Sequence, residues 1–125
     1  MIDINKVKQF LETRQEEQSE KLKRLFQQAW IDFERIVDHI IKKYEPEKIY
    51  QWGSLLNQKN FSEISDIDIC IEGDLSPQKF FSMLGEVEQI TNFPVHIVEM
   101  HNIEPIYAES IRTKGRLVYE KKPDS

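Results

Sequence analysis

Two short strings hold the residues best placed to do chemistry: Gly53-Ser54 and, one loop later, Asp66-Ile67-Asp68-Ile69. Ile67, Ile69 and Ile71 alternate with the residues between them, which is the period of a strand. Positions two apart on a strand share a face, so Asp66 and Asp68 project together. Asp is depleted in strands, and two like charges at this spacing repel. A cation that neutralises the pair makes the arrangement reasonable, and paired carboxylates suit a hard ion such as Mg2+. Gly53 has no Cβ and lets backbone approach a ligand closely. The Ser54 hydroxyl can hydrogen-bond a phosphate oxygen, and a helical turn starting there aims free N–H groups at an anion. Alone, Gly-Ser is usually a turn and Asp-x-Asp usually surface. Joined by one loop, each at a strand end, they point to a nucleoside triphosphate carried on metal. The loop 57–65 can cover that site, and its Lys59 can touch phosphate.

The surrounding pattern supplies elements to position these groups. Residues 3–44 read as helix, with Asp3 or Asn5 as cap and no Pro or Gly inside. From Leu22 the apolar positions step by three and four through Leu25, Phe26, Trp30, Phe33, Val37, Ile40, Ile41 and Tyr44, a core-facing stripe. A separate stripe, Ile4, Val7, Phe10 and Leu11, lies beyond the reach of a small core and suits a partner or a homo-oligomer contact. Between the stripes, residues 12–21 are almost wholly polar, either an exposed middle or a break between two helices. Pro46 ends the helix. Strands are expected at 48–52, 66–72, 94–99 and 116–120, with helices from Ser76-Pro77 to about Ile90 and from Ile103 to about Lys114, stopped by Gly115. The expected fold is α/β (α+β): a small sheet of about four strands, helices against one face, and a long N-terminal helical extension. The expected organisation is a helical segment 1–44, a core 45–120 and a disordered tail 121–125.

The bulk properties narrow the function classes. A chain of 125 residues with 39% apolar and 31% charged content is one domain with an ordinary core. A net charge of −5 argues against extended nucleic-acid binding, which depends on Lys and Arg neutralising phosphates. It leaves room for a single nucleotide, because a divalent ion brings positive charge locally. One cysteine, Cys70, builds neither a disulfide framework nor a zinc cluster and suits a reducing cytoplasm. No apolar run is long enough for a membrane span, and the N-terminus is too polar for a signal peptide.

Gly53-Ser54, the eleven residues from Leu55 to Ser65, and Asp66-Ile67-Asp68-Ile69 resemble the signature of the DNA polymerase beta-like nucleotidyltransferase superfamily. More narrowly, the chain resembles its minimal nucleotidyltransferases (MNT type). The resemblance runs from about Tyr44 to Glu120 and includes the helix–Gly–strand close, Glu109 to Glu120; residues 1–30 lie outside it. It implies a nucleotidyltransferase fold with a mixed sheet flanked by helices, ATP as substrate, Mg2+ held by Asp66 and Asp68, and nucleotide contacts from Gly53 and Ser54. The implied reaction transfers AMP to an acceptor hydroxyl and releases pyrophosphate. Small MNT proteins often pair with a helical HEPN ribonuclease in toxin–antitoxin systems, as antitoxins that adenylylate the partner or block it by contact. Aminoglycoside nucleotidyltransferases also resemble the superfamily, but they carry a further domain for the acceptor.

The chain departs from that pattern at one place. A third carboxylate is expected near the start of the next strand; here the stretch is Val95-His96-Ile97-Val98. His96 can serve as a general base near neutral pH but is a poor Mg2+ ligand. Glu99, three residues on, belongs to the opposite face of a regular strand. His39 and His101 read as structural or solvent-facing, Cys70 as packing, Trp52 as core, and Glu72 as a solvated continuation of the Asp66 and Asp68 face.

Overall fold

The computed structural model describes residues 2–63 and 65–123. One unbroken helix, α1 (Ile4–Tyr44), opens the chain, so the polar middle is an exposed stretch of helix rather than a break. Asp3 caps it, its Oδ1 accepting from the N–H of Asn5 at 3.0 Å and of Lys6 at 3.3 Å. At the other end Glu45 turns left-handed at φ 46°, and its N–H closes on the Ile41 carbonyl at 3.2 Å. Pro46 then prevents continuation. Only the second half of α1 enters the core, through Ala29, Phe33, Ile36, Val37 and Ile40.

Four strands follow: β1 (Lys48–Trp52), β2 (Ile67–Glu72), β3 (Val95–Glu99) and β4 (Arg116–Glu120). Two further helices are α2 (Pro77–Glu88) and α3 (Pro105–Lys114), and short 3-10 turns lie at Ser54–Leu56, Gln58–Asn60 and Met100–Asn102. The sheet order is β3-β2-β1-β4. β1 pairs antiparallel with β2 and β4, while β2 and β3 run parallel, giving a mixed sheet. A parallel pair needs a crossover, which α2 supplies, capped by Ser76 with Pro77 in its first turn.

The two sheet faces differ in what covers them. Ile49, Ile67, Ile69, Ile71 and Ile97 pack against Phe33, Ile36 and Ile40 of α1 and Met83 and Val87 of α2. Each fully buried aliphatic side chain contributes about 1.5–3 kcal/mol. Tyr50, Cys70 and Met100 form a second cluster with Ala108 and Ile111 of α3. Helices therefore lie on both faces, not on one as the pattern suggested. α3 presents few apolar residues, with Ile106 and Tyr107 both exposed, so its packing face was weakly marked.

α1 and α2 are also joined by a polar clamp. Glu86 accepts from Lys43 Nζ at 2.6 Å and Tyr44 OH at 2.9 Å, and lies 2.6 Å from His39 Nε2. His39 is thus structural, as its place beside the apolar stripe suggested. Lys121 continues past β4, its N–H donating to the Glu47 carbonyl at 2.8 Å. Of the tail expected to be disordered, Asp124 and Ser125 lie outside the described residues. No helix among the described residues is long and apolar enough to cross a membrane.

Candidate nucleotide and metal site

The site forms where β1 ends and β2 begins. Asp68 stands on β2 opposite Trp52 of β1 and in register with His96 of β3, so three neighbouring strands converge on one carboxylate. Asp66 comes just before β2 starts at Ile67, whose N–H is fixed by the Pro94 carbonyl at 2.9 Å. The His96 Nδ1 lies 3.6 Å from Asp68 Oδ1, with the imidazole 56% and the Asp68 side chain 13% exposed. The Trp52 and His96 rings meet edge to face at 5.5 Å.

Electrostatics at Asp68 are unfavourable to a bare carboxylate. Burial, followed by the charge of Asp66, pushes its pKa up to about 6, and His96 offsets this only in part. No Lys or Arg forms an ion pair with Asp66 or Asp68 among the described residues. The pair therefore lacks a strong counter-charge, the condition under which a hard cation is bound.

Gly53 adopts φ 84°, ψ −163°, a region open in practice only to glycine. A Cβ there would lie 2.8 Å from Asp68 Cγ and overlap the carboxylate. Gly53 is thus demanded twice, by its dihedrals and by Asp68. Ser54 begins the 3-10 turn Ser54–Leu56, which buries Leu55 in the core. Asn57 caps the next turn, its side chain accepting from the Lys59 N–H at 3.0 Å.

A cavity of about 300 Å³ opens beside Gly53, lined by Trp52, Leu56, Asn57, Asn60, Ser110, Ile111, Lys114 and Gly115. Its apolar walls with a few amides and one ammonium group suit a small polar molecule. Gly115 permits the approach of α3 to β1: a Cβ there would lie 2.5 Å from the Ile111 carbonyl oxygen and 2.8 Å from that of Gln51. Sequence reading took Gly115 only as a helix stop and missed Lys114, Asn57 and Asn60. Nothing local marks them, because the cavity exists only where the loop after β1 meets the last turn of α3. Lys59 is exposed and is not among the lining residues.

The donor set fits a single Mg2+ better than a cage. Mg2+ is commonly held by one or two carboxylates, with phosphates and water completing its shell. Among the described residues no group of three His, Cys, Asp or Glu side chains is arranged to hold a metal ion. Glu99 is no third acid here: it is buried beside His101, 3.2 Å from its Nε2, and pairs in register with Ile71. Glu72 is bound by Arg112 at 3.0 Å. Cys70 is buried, which pushes its thiol up to about 12 and leaves it unreactive.

The profile of the family described as polymerase beta, nucleotidyltransferase matches residues 34–124. Among solved structures, the chain is similar to a chain in the crystal structure of the toxin–antitoxin MntA-HepT, at 15% identity and a TM-score of 0.56 over 74% of this chain and 73% of that one. It is likewise similar to a chain of a mutant of that toxin–antitoxin carrying two Asp-to-Glu changes, at 15% identity and a TM-score of 0.59 over 72% of this chain and 74% of that one. At that identity the likeness is one of fold. No curated protein matches the chain.

Proposed function

Because the chain belongs to the polymerase beta nucleotidyltransferase family, we propose that it is a Mg2+-dependent nucleotidyltransferase that moves AMP from ATP to a hydroxyl of a partner protein, as the antitoxin of a pair with a helical HEPN-type toxin. The observation that carries the activity is the Asp66 and Asp68 pair, short of counter-charge, with Asp68 set against Gly53. The toxin partner is suggested by the likeness to the MntA-HepT structures, whose names describe a toxin–antitoxin.

Asp66 and Asp68 would hold Mg2+, which when bound supplies charge neutralisation at the phosphates under attack. Gly53 admits the phosphate chain to the backbone, the Ser54 hydroxyl donates to a phosphate oxygen, and Lys59 covers the phosphates from the loop. The cavity beside Gly53 receives the rest of the nucleotide, with Lys114 as a further cation. His96, its Nδ1 3.6 Å from Asp68 Oδ1 and its imidazole exposed, would take the proton of the acceptor hydroxyl. The acceptor oxygen then bonds to the α-phosphorus, and the bond to the pyrophosphate oxygen breaks.

A second reading is favoured by one observation. His96 occupies the register position beside Asp68 where a third carboxylate would complete a metal site. In that reading the chain neutralises the toxin by contact, with weak or no transfer. Intact-mass measurement of the toxin after incubation with ATP, Mg2+ and the protein separates the two. Adenylylation that disappears with Asp66→Ala/Asp68→Ala supports transfer. An unmodified toxin, neutralised equally by wild type and double variant, supports contact alone.

A further inference from the structure

The first half of α1 leaves the globular core behind and carries large apolar side chains into solvent: Ile4 is 77%, Phe10 60% and Leu11 57% exposed, with Val7 also exposed. This segment precedes the region matched by the family profile, which begins at residue 34. The line 4, 7, 11 continues along α1 as 14, 18, 21, 25, 28, 32 and 35, apolar at Ile4, Val7, Leu11 and Leu25 and polar at the other positions, so it shares the spacing of a heptad seam but not its apolar content. At the far end of that same line, Leu25, Gln28, Asp32 and Arg35 form one wall of a cavity of about 520 Å³, faced by Phe93 and Pro94. One helix thus carries a protruding stripe and, about 22 residues or about 33 Å further on, a groove.

We propose that the chain forms an antiparallel homodimer through α1, each copy seating its Ile4–Leu11 stripe in the groove of the other. A two-fold axis between residues 19 and 20 sets Leu11 opposite Gln28, Val7 opposite Asp32 and Ile4 opposite Arg35. The flanking positions of that register agree. Phe10 of one copy meets Ile31 of the other, itself 51% exposed in a single chain. Glu17 of one copy meets Arg24 of the other, and symmetry repeats both pairs. The groove carries Asp32, Arg35 and Glu63, the last already paired with Lys21 at 3.2 Å, so its charges are largely balanced and the register rests on the Phe10–Ile31 and Glu17–Arg24 pairs. Covering Asp32 strands no oxygen, because Gln28 Nε2 donates to one at 2.9 Å and Thr91 Oγ1 to the other at 2.7 Å.

The size is adequate. Overlap from residue 4 to residue 35 is about 48 Å of helix about 10 Å wide, or about 1,000 Å² over both copies, the scale at which specific interfaces begin. A parallel pair is disfavoured: it would oppose Arg14 to Arg14 and Lys21 to Lys21, leave both grooves unfilled and force the two globular cores side by side.

Light scattering on the size-separated full chain tests this directly. The mass should be twice the 14.9 kDa of one chain. Phe10→Asp should weaken association by about 100-fold or more. Glu17→Arg and Arg24→Glu should each weaken it by about tenfold, and the two together should restore it. All these positions are exposed, and unchanged helicity by circular dichroism confirms that the variants fold. Phe10→Cys/Ile31→Cys should oxidise to a covalent dimer that neither single variant gives; buried Cys70 does not compete. A monomer throughout the micromolar range overturns the proposal. So does a dimer indifferent to Phe10→Asp, or one that Phe10→Cys alone cross-links.

Discussion

Replacing Gly53 by Ala should damage stability and nucleotide binding together. The backbone at φ 84°, ψ −163° costs a non-glycine residue about 1–3 kcal/mol. The added Cβ also falls 2.8 Å from Asp68 Cγ, and overpacking of this kind costs about 1–3 kcal/mol more. A loss of about 3 kcal/mol, or about 10 °C in Tm, is the expected scale. The two contributions can be separated in urea unfolding with a double-mutant cycle. In an Asp68→Ala background the overlap has no carboxylate to meet, so Gly53→Ala should cost about 1–3 kcal/mol less than it does in wild type. Mg2+–ATP titration of the single variant should show no binding, because the Asp68 carboxylate has been displaced. A Gly53→Ala protein with wild-type stability and wild-type ATP affinity would refute the close contact between Gly53 and Asp68.

The remaining expectations concern charge. Asp68 has a folded pKa of about 6 against 3.8 unfolded, so between these values the folded chain holds a proton that the unfolded chain releases. Stability therefore falls as pH rises through that window and stays lower above it by about 2–3 kcal/mol; Asp68→Asn should remove that fall in urea unfolding and raise stability at neutral pH while abolishing Mg2+ binding. Glu86 runs the other way: hydrogen bonds from Lys43, then His39, hold its carboxyl down at about 2. Its contribution is present above the unfolded value of 4.5 and lost as pH falls toward 2, so Glu86→Gln should flatten acid unfolding followed by circular dichroism across that range. His96→Asp supplies the missing third carboxylate and should tighten Mg2+ binding measured by calorimetry; unchanged or weaker binding would mean that position 96 does not face the metal.

Much of this molecule was legible because its signals are local. A stretch free of Pro and Gly between Asp3 and Tyr44, closed by Pro46, dictated the long helix. The alternation of Ile67, Ile69 and Ile71 dictated which face β2 buries and so where Asp68 points. What escaped depends on distant residues meeting. The face covered by α3 rests on Ala108 and Ile111 alone, too few to set a period. Asp32 sits inside an apolar stripe yet is buried because Thr91, 59 residues away, hydrogen-bonds it. Lys114 and Asn60 became neighbours of Gly53 only through the close approach of Gly115 to Gln51. His96 came to notice only through the resemblance, as the residue standing where a third carboxylate is expected; that it lies in register with Asp68 depends on β2 and β3 pairing in parallel, which no local signal marks.

The most direct test of the central claim is calorimetric titration of Mg2+–ATP into the wild-type protein and into Asp66→Ala/Asp68→Ala. Binding to wild type that is lost in the double variant, with the fold intact by circular dichroism, is the expected result. Binding of equal strength to both proteins, or to neither, would contradict the assignment of Asp66 and Asp68 as the metal–nucleotide site.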